Sequence, residues 1–224
     1  MPAAAIFDLD GTLLDTLDDL ADSANEALSA HGHPVHPVNS FRTFVGDGMA
    51  VLMERILPEA ARTPEQIGLL LSRYRTAYDA RWRLKTQPYP GIVAMLRELA
   101  SRGIPMAVLS NKPQAYTEIV VAHFLGEHRF EVIFGQRDTV PRKPDPAGAI
   151  EIAEQLNLPP AEILFVGDTS TDMDTATAAG MIPVGALWGF RPEAELRAHG
   201  AQFLIAEPAA LLPLLRAPGK PAGG

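Results

Sequence analysis

A chain of 224 residues, 47% of them hydrophobic and 21% charged, has the balance of a globular protein that buries a core, not of a disordered segment. Its 27 acidic and 19 basic side chains leave a formal net charge of −8, so no basic field is available to hold nucleic acid or an anionic membrane. Cysteine is absent, which excludes disulfides, thiolate metal sites and cysteine nucleophiles and leaves oxygen and nitrogen groups to carry any chemistry.

The opening residues, MPAAAIFDLDG, have no basic n-region and no apolar run near the roughly 18 residues of a span, which predicts a cytoplasmic protein. Ala3 to Phe7 is a short apolar run stopped by Asp8 and Gly11, and it predicts a buried strand with Asp8 at its carboxyl end. From Thr16 the period changes. Leu17, Leu20, Ala21, Ala24 and Leu28 recur at helical spacing, with Thr16 and Asp19 placed as a capping pair. Up to Lys85 only helices are predicted, the clearest carrying Ile67, Leu70, Leu71, Tyr74, Tyr78 and Trp82 on one face as core of the helical block.

After Pro88-Tyr89-Pro90-Gly91 helices and strands alternate. A helix through Ile92, Met95, Leu96 and Leu99 precedes a strand from Ile104 to Leu109, and a helix through Ile119, Val120 and Phe124 precedes a strand from Phe130 to Phe134. A helix around Ile150 to Leu156, a strand from Ile163 to Val166, a small-residue helix near Ala176 to Ala179 and a strand near Pro183 to Ala186 follow. Such alternation predicts a parallel sheet with helices on its faces. The expected architecture is a Rossmann-like α/β core of residues 1–15 and 87–216, with an inserted all-helical cap at 16–86. The Pro- and Gly-rich tail, 217–224, is expected to be disordered.

In an open parallel sheet ligands bind outside the carboxyl ends of the strands, and four polar clusters fall there. They are Asp8-Leu9-Asp10-Gly11-Thr12, Ser110-Asn111-Lys112, Lys143-Pro144, and Gly167-Asp168 with Asp172. Three converging carboxylates (Asp8, Asp10, Asp168) would raise one another's pKa unless a cation joined them. Magnesium suits the position, since one or two carboxylates, waters and phosphate oxygens satisfy it. Ser110, backbone N–H groups and Lys143 suit phosphate oxygens, so the set describes phosphoryl transfer. In an extended segment Asp8 and Asp10, at i and i+2, address one substrate while Leu9 points away. One carboxylate could attack phosphorus while the other protonates the leaving oxygen and later activates water.

The strings FDLDGTLLDT, LSNK, KPDP and VGDTSTDMDTA, in this order and at strand ends, resemble the four motifs of the haloacid dehalogenase superfamily. That resemblance implies that Asp8 is the nucleophile and Asp10 the general acid/base. It implies that Ser110, with Asn111, and Lys143 hold the phosphoryl group. Asp8, the backbone carbonyl of Asp10 and Asp168 would ligate Mg²⁺, and Asp172 would be a supporting acid near the metal or Lys143. The inserted helices match the superfamily's cap, which closes over the site. FVGDGM (Phe44 to Met49), PYPG, SNKP and WGFRP (Trp188 to Pro192) resemble the phosphoglycolate phosphatase branch, which implies a small phosphorylated metabolite as substrate. The dehalogenase branch lacks the second aspartate, present here as Asp10.

Plainer readings compete with these. Asp10-Gly11 suits a turn, Ser110-Asn111 the N-cap of a helix from Pro113, Lys143 a solvated loop, and Asp172 the N-cap of the helix through Ala179. Gly46-Asp47-Gly48 is either a turn between helices or a substrate-facing cap loop. The histidines lack metal-ligand spacing and are expected at the surface. A sugar phosphomutase on the same scaffold and a non-catalytic phosphate-binding protein are the alternative functions, and the chain could act as a monomer or a homodimer.

Overall fold

The structure, a computed structural model, describes residues 2–216; the tail 217–224 predicted to be disordered lies outside the described residues. Its elements in chain order are β1 (Ala4–Phe7), β2 (Leu14–Asp15), α1 (Leu17–Ala30), α2 (Phe41–Phe44), α3 (Met49–Ile56), α4 (Pro64–Arg81), β3 (Gln87–Pro88), α5 (Ile92–Ser101) and β4 (Met106–Pro113). There follow α6 (Gln114–Leu125), β5 (Val132–Gln136), α7 (Ala147–Leu156), β6 (Ile163–Gly167), α8 (Ser170–Ala178), β7 (Ile182–Ala186), α9 (Glu193–Ala198) and β8 (Phe203–Ile205).

Six strands pair in parallel in the order β5-β4-β1-β6-β7-β8. The period of two decides which side chain goes to which face. Ala5, Phe7, Met106, Val108, Leu164 and Val166 pack beneath α5 and α6. Their neighbours Ala4, Ile6, Ala107, Leu109, Ile163 and Phe165 pack beneath α7 and α8. With both faces covered, β1 must be apolar throughout, as the AAIF segment is. The chain fills one side of β1 with β4 and β5, then crosses to build β6, β7 and β8 on the other. The order therefore reverses at β1 and β6, the switch point where such sheets open a crevice at their carboxyl ends. Asp8 and Asp168 are the first residues beyond these two strands.

Between β2 and β3 the regular elements are all helical. They close around their own cluster, including Leu28, Phe41, Met53, Ile56, Tyr74 and Tyr78, so the apolar face predicted for α4 does pack inside the helical block. The two crossings between block and sheet pair as a short antiparallel ribbon, Leu14 with Pro88 and Asp15 with Gln87.

Several local expectations change. Thr16 is the N-cap residue of α1, but its side chain makes no cap hydrogen bond and its hydroxyl is buried without a partner. Asp19 turns away and accepts instead from the backbone N–H groups of Lys85 and Thr86 (3.0 and 2.8 Å) and from the Thr86 hydroxyl (2.8 Å). A carboxylate with three long-range donors does better than one shared with its own first turn. β4 runs on to Pro113 through a register shift after Leu109, so Ser110, Asn111 and Lys112 lie within its irregular end, and β5 begins at Val132. β8 and the ribbon are too short for a hydrophobic period to show in the sequence. His36 is half-buried, with its Nε2 donating to the Ile56 carbonyl at 2.7 Å and its ring packing on Phe44, so it is not a surface histidine.

Candidate active site

The β1–β6 pairing carries past the strand ends, with Asp8 N–H donating to Val166 O at 2.9 Å. The chain then coils tightly, the N–H groups of Leu13 and Leu14 both reaching Leu9 O. Leu9 is fully buried in the core, while Asp8 and Asp10 line one pocket. Gly11 makes the turn possible. Its φ is +91°, and a side chain there would run into the Asp168 carboxylate.

Asp168 is fully buried and held by two donors, the Thr12 hydroxyl on Oδ1 and Phe190 N–H on Oδ2, each at 2.7 Å. Lys143, only 4% exposed, is no solvated loop lysine: its Nζ lies 2.8 Å from Asp8 Oδ1 and 2.6 Å from Asp172 Oδ1. The other Asp172 oxygen accepts from the N–H groups of Asp168 and Thr169 and from the Thr169 hydroxyl (3.2, 3.0 and 2.7 Å). Thr169 is thus the N-cap of α8 and Asp172 the third helical residue of a capping box, not the N-cap itself. Helix start and lysine anchor are one group.

Ser110 is buried and lines the same pocket as Asp8 and Asp10. The helix after it is capped at Pro113, so neither Ser110 nor Asn111 is an N-cap. The Asn111 amide is fully engaged by protein, accepting from Lys143 N–H (2.9 Å) and donating to Lys143 O (3.0 Å) and Gly46 O (3.1 Å). Any phosphate contact from Asn111 therefore falls to its backbone. Gly46 and Gly48 line the pocket, whereas Asp47 turns to Arg55 and to the Thr171 hydroxyl (2.8 Å), so the loop is both a helix connection and a pocket wall.

Electrostatically the site is short of positive charge. Carboxylate oxygens of Asp8, Asp168 and Asp172 lie within 4.8 Å of one another, all buried, with Lys143 the ammonium between two of them. Burial pushes the Asp8 carboxyl up to about 7, with Asp172 and Asp10 adding to the rise and Lys143 opposing it. Burial likewise raises Asp168 well above the carboxylate range, reinforced by Asp172 and Asp8. Burial works against the Lys143 charge, but Asp172 and Asp8 outweigh it and raise its pKa. Such a set of hard oxygen donors with excess negative charge fits a divalent cation such as Mg²⁺.

Sequence reasoning gave no catalytic or binding role to Lys112, Thr12 or Tyr74. Lys112 is buried and bonds both oxygens of Asp10, at 2.8 and 2.9 Å. Its place in the polar cluster after Leu109 was the available signal. Tyr74 lines the pocket from α4, where its helical spacing pointed only to core.

A family model for haloacid dehalogenase-like hydrolases matches residues 5–186. The chain belongs to this family. The match to the haloacid dehalogenase-like hydrolases runs from β1 to the end of β7 and so takes in all four strand-end clusters. Among its relatives, a phosphoglycolate phosphatase of Pseudomonas putida is 32% identical over 222 residues, covering 95% of this chain and 79% of the relative. One of Yersinia pestis is 33% identical over 217 residues, covering 95% and 92%. Among solved structures, a predicted phosphoglycolate phosphatase from Haemophilus somnus aligns with a TM-score of 0.88 at 28% identity, covering 95% of this chain and 97% of that one. No described helix of this haloacid dehalogenase-like hydrolase is long and apolar enough to cross a membrane.

Proposed function

We propose that the protein is a magnesium-dependent phosphatase that hydrolyses a small phosphomonoester, with 2-phosphoglycolate the leading substrate, through an aspartyl-phosphate on Asp8. The observation that carries this reading is Asp8 at the switch point of the sheet, ion-paired to Lys143 and sharing a pocket with Asp10 and Ser110. Family membership and the names of the relatives support it.

In this reading Asp8, Asp168 and the backbone carbonyl of Asp10 hold Mg²⁺. When bound, the ion neutralises buried carboxylate charge and the charge of the phosphoryl oxygens. Asp172 has both oxygens engaged by protein, so it positions Lys143. Ser110 and Lys143 hold the transferring phosphoryl group. An Asp8 oxygen attacks phosphorus as the ester P–O bond breaks, and Asp10 gives its proton to the leaving alcohol. Asp10 then takes a proton from a water that attacks phosphorus, breaking the Asp8–phosphate bond and releasing inorganic phosphate. Residues 16–86 act as a cap over the core of 1–15 and 87–216, excluding bulk water during the first step. Val45, Met49 and Leu52 close the pocket from that side, which favours a small ester.

The test is release of inorganic phosphate from 2-phosphoglycolate with and without Mg²⁺, by wild type and Asp8→Asn. Activity should require the metal and fall to background in the variant. Hydrolysis surviving Asp8→Asn would overturn the nucleophile.

A further inference from the structure

The pocket holds ≈450 Å³ of empty space, part of it open to solvent, and its lining is of two kinds. Asp8, Asp10 and Ser110 supply its reacting groups, while Leu20, Val45, Met49 and Leu52 give it an apolar wall. Three polar side chains line the pocket without a part in the steps above: Asn111, whose amide is engaged by Lys143 and Gly46, and Lys112 and Tyr74.

Lys112 is 5% exposed, with its ammonium against both Asp10 oxygens and 5.0 Å from the centre of the Tyr78 ring. An ammonium has three N–H donors, and Asp10 engages at most two. Tyr74 is completely buried, and its hydroxyl has no hydrogen-bond partner among the described residues. Tyr74 stacks on Tyr78 with ring centroids 5.7 Å apart, and the Lys112 ammonium lies over that same Tyr78 ring, so Tyr74 and Lys112 line one corner of the pocket beside Asp10. A buried hydroxyl without a partner is uncommon in a folded protein and points to a group that completes it. Here the missing group must accept a hydrogen bond from Tyr74 and tolerate, or prefer, the field of an ammonium.

We propose that Lys112 and Tyr74 form a carboxylate subsite for the alcohol portion of the ester, selecting small phosphomonoesters of hydroxy acids. This deepens the phosphatase reading and rests on it. The placement sets the substrate's length. Lys112 touches Asp10, and Asp10 addresses the ester oxygen, so the carboxylate sits one or two carbons from that oxygen. A single ammonium matches a single carboxylate, whereas a second phosphate would bring more negative charge against Asp10. The apolar wall accommodates the intervening methylene.

The test compares kcat/KM for 2-phosphoglycolate and for 2-hydroxyethyl phosphate, in which a hydroxymethyl group replaces the carboxylate. Wild type, Lys112→Met and Tyr74→Phe are measured with Mg²⁺. Any effect of Lys112 on Asp10 acts on both esters and cancels in their ratio. Wild type should prefer the carboxylate ester. Lys112→Met should lower that preference roughly 10- to 100-fold, the worth of a hydrogen bond to a charged group, and the near-isosteric Tyr74→Phe roughly 3- to 10-fold. A ratio unchanged in both variants, or a wild type that hydrolyses both esters equally well, would overturn the subsite and leave the phosphatase standing. Wild type hydrolysing neither ester would overturn the phosphatase reading and the subsite with it.

Discussion

Asp8 is held where an ionised carboxyl is costly, and that cost can be measured without substrate. Burial raises its pKa from 3.8 to about 7, so in the metal-free protein the folded state keeps a proton that the unfolded chain releases. The resulting stabilisation is present in full below the unfolded value and is lost as pH rises through about 7. The melting temperature in EDTA should therefore fall between about pH 4 and about pH 7, and Asp8→Asn should make the fall smaller. An identical slope in the variant would remove Asp8 as a source. Mg²⁺ should bind more weakly below pH 7 for the same reason, because a proton competes for the same oxygens. Asp172 shows the opposite design. Four donors surround it, so its charge is satisfied by protein and serves to hold Lys143 against Asp8.

At the scale of elements, the chain passes between the helical block and the sheet through a two-residue ribbon, and one carboxylate inside the block fixes the backbone at the second crossing. Asp19, near the start of α1, gathers the backbone at Lys85 and Thr86, just before the chain re-enters the sheet. Removing it would leave buried N–H groups without their acceptor. Asp19→Ala is expected to cost about 2–4 kcal/mol in urea unfolding, and Asp19→Asn, which keeps one oxygen acceptor, should cost less. A loss below about 0.5 kcal/mol would show that water replaces the carboxylate. The block also touches the sheet domain through guanidinium-to-carbonyl hydrogen bonds that run in both directions. Arg42 donates to Gly189 O at 2.6 Å, Arg191 to Val45 O at 2.9 Å, and Arg142 to Asp47 O at 3.0 Å. Guanidinium groups suit this use, because they reach carbonyls while remaining charged and partly hydrated.

Across the whole molecule, the site lies at the junction of β1 and β6, the centre of the sheet, so a ligand held there ties together strands on which both hydrophobic faces are built. Mg²⁺ should therefore stabilise the entire fold. At 100 times its dissociation constant a ligand adds about 2.7 kcal/mol, which for a chain of this size is a rise of roughly 5–10 °C in melting temperature. Asp168→Asn should abolish most of that rise. A full rise in the variant would place the cation elsewhere.

The alternation of apolar runs after Pro90 and the purely helical stretch before it were enough to read the α/β sheet and the helical insertion, because burial on two faces or one leaves its period in the residues. The same logic pointed to Asp8, Ser110 and Asp168, since each stands where an apolar run stops at a strand's carboxyl end, whereas Lys143 lies in the loop after β5 and was singled out by the resemblance of its motif alone. Other features left no such trace. Lys112 on Asp10 and Lys143 on Asp172 join residues 102 and 29 positions apart. Asn111 is quenched by Lys143 and Gly46, and Asp19 is drawn from its helix to Thr86. Each is a choice among several possible partners for a polar side chain, and only the packing of distant elements makes it. Local pattern determined where strands end and which residue types stand there. Tertiary structure decided which charges meet, because Coulomb and hydrogen-bond energies depend on distances of a few ångströms that no spacing in the chain specifies.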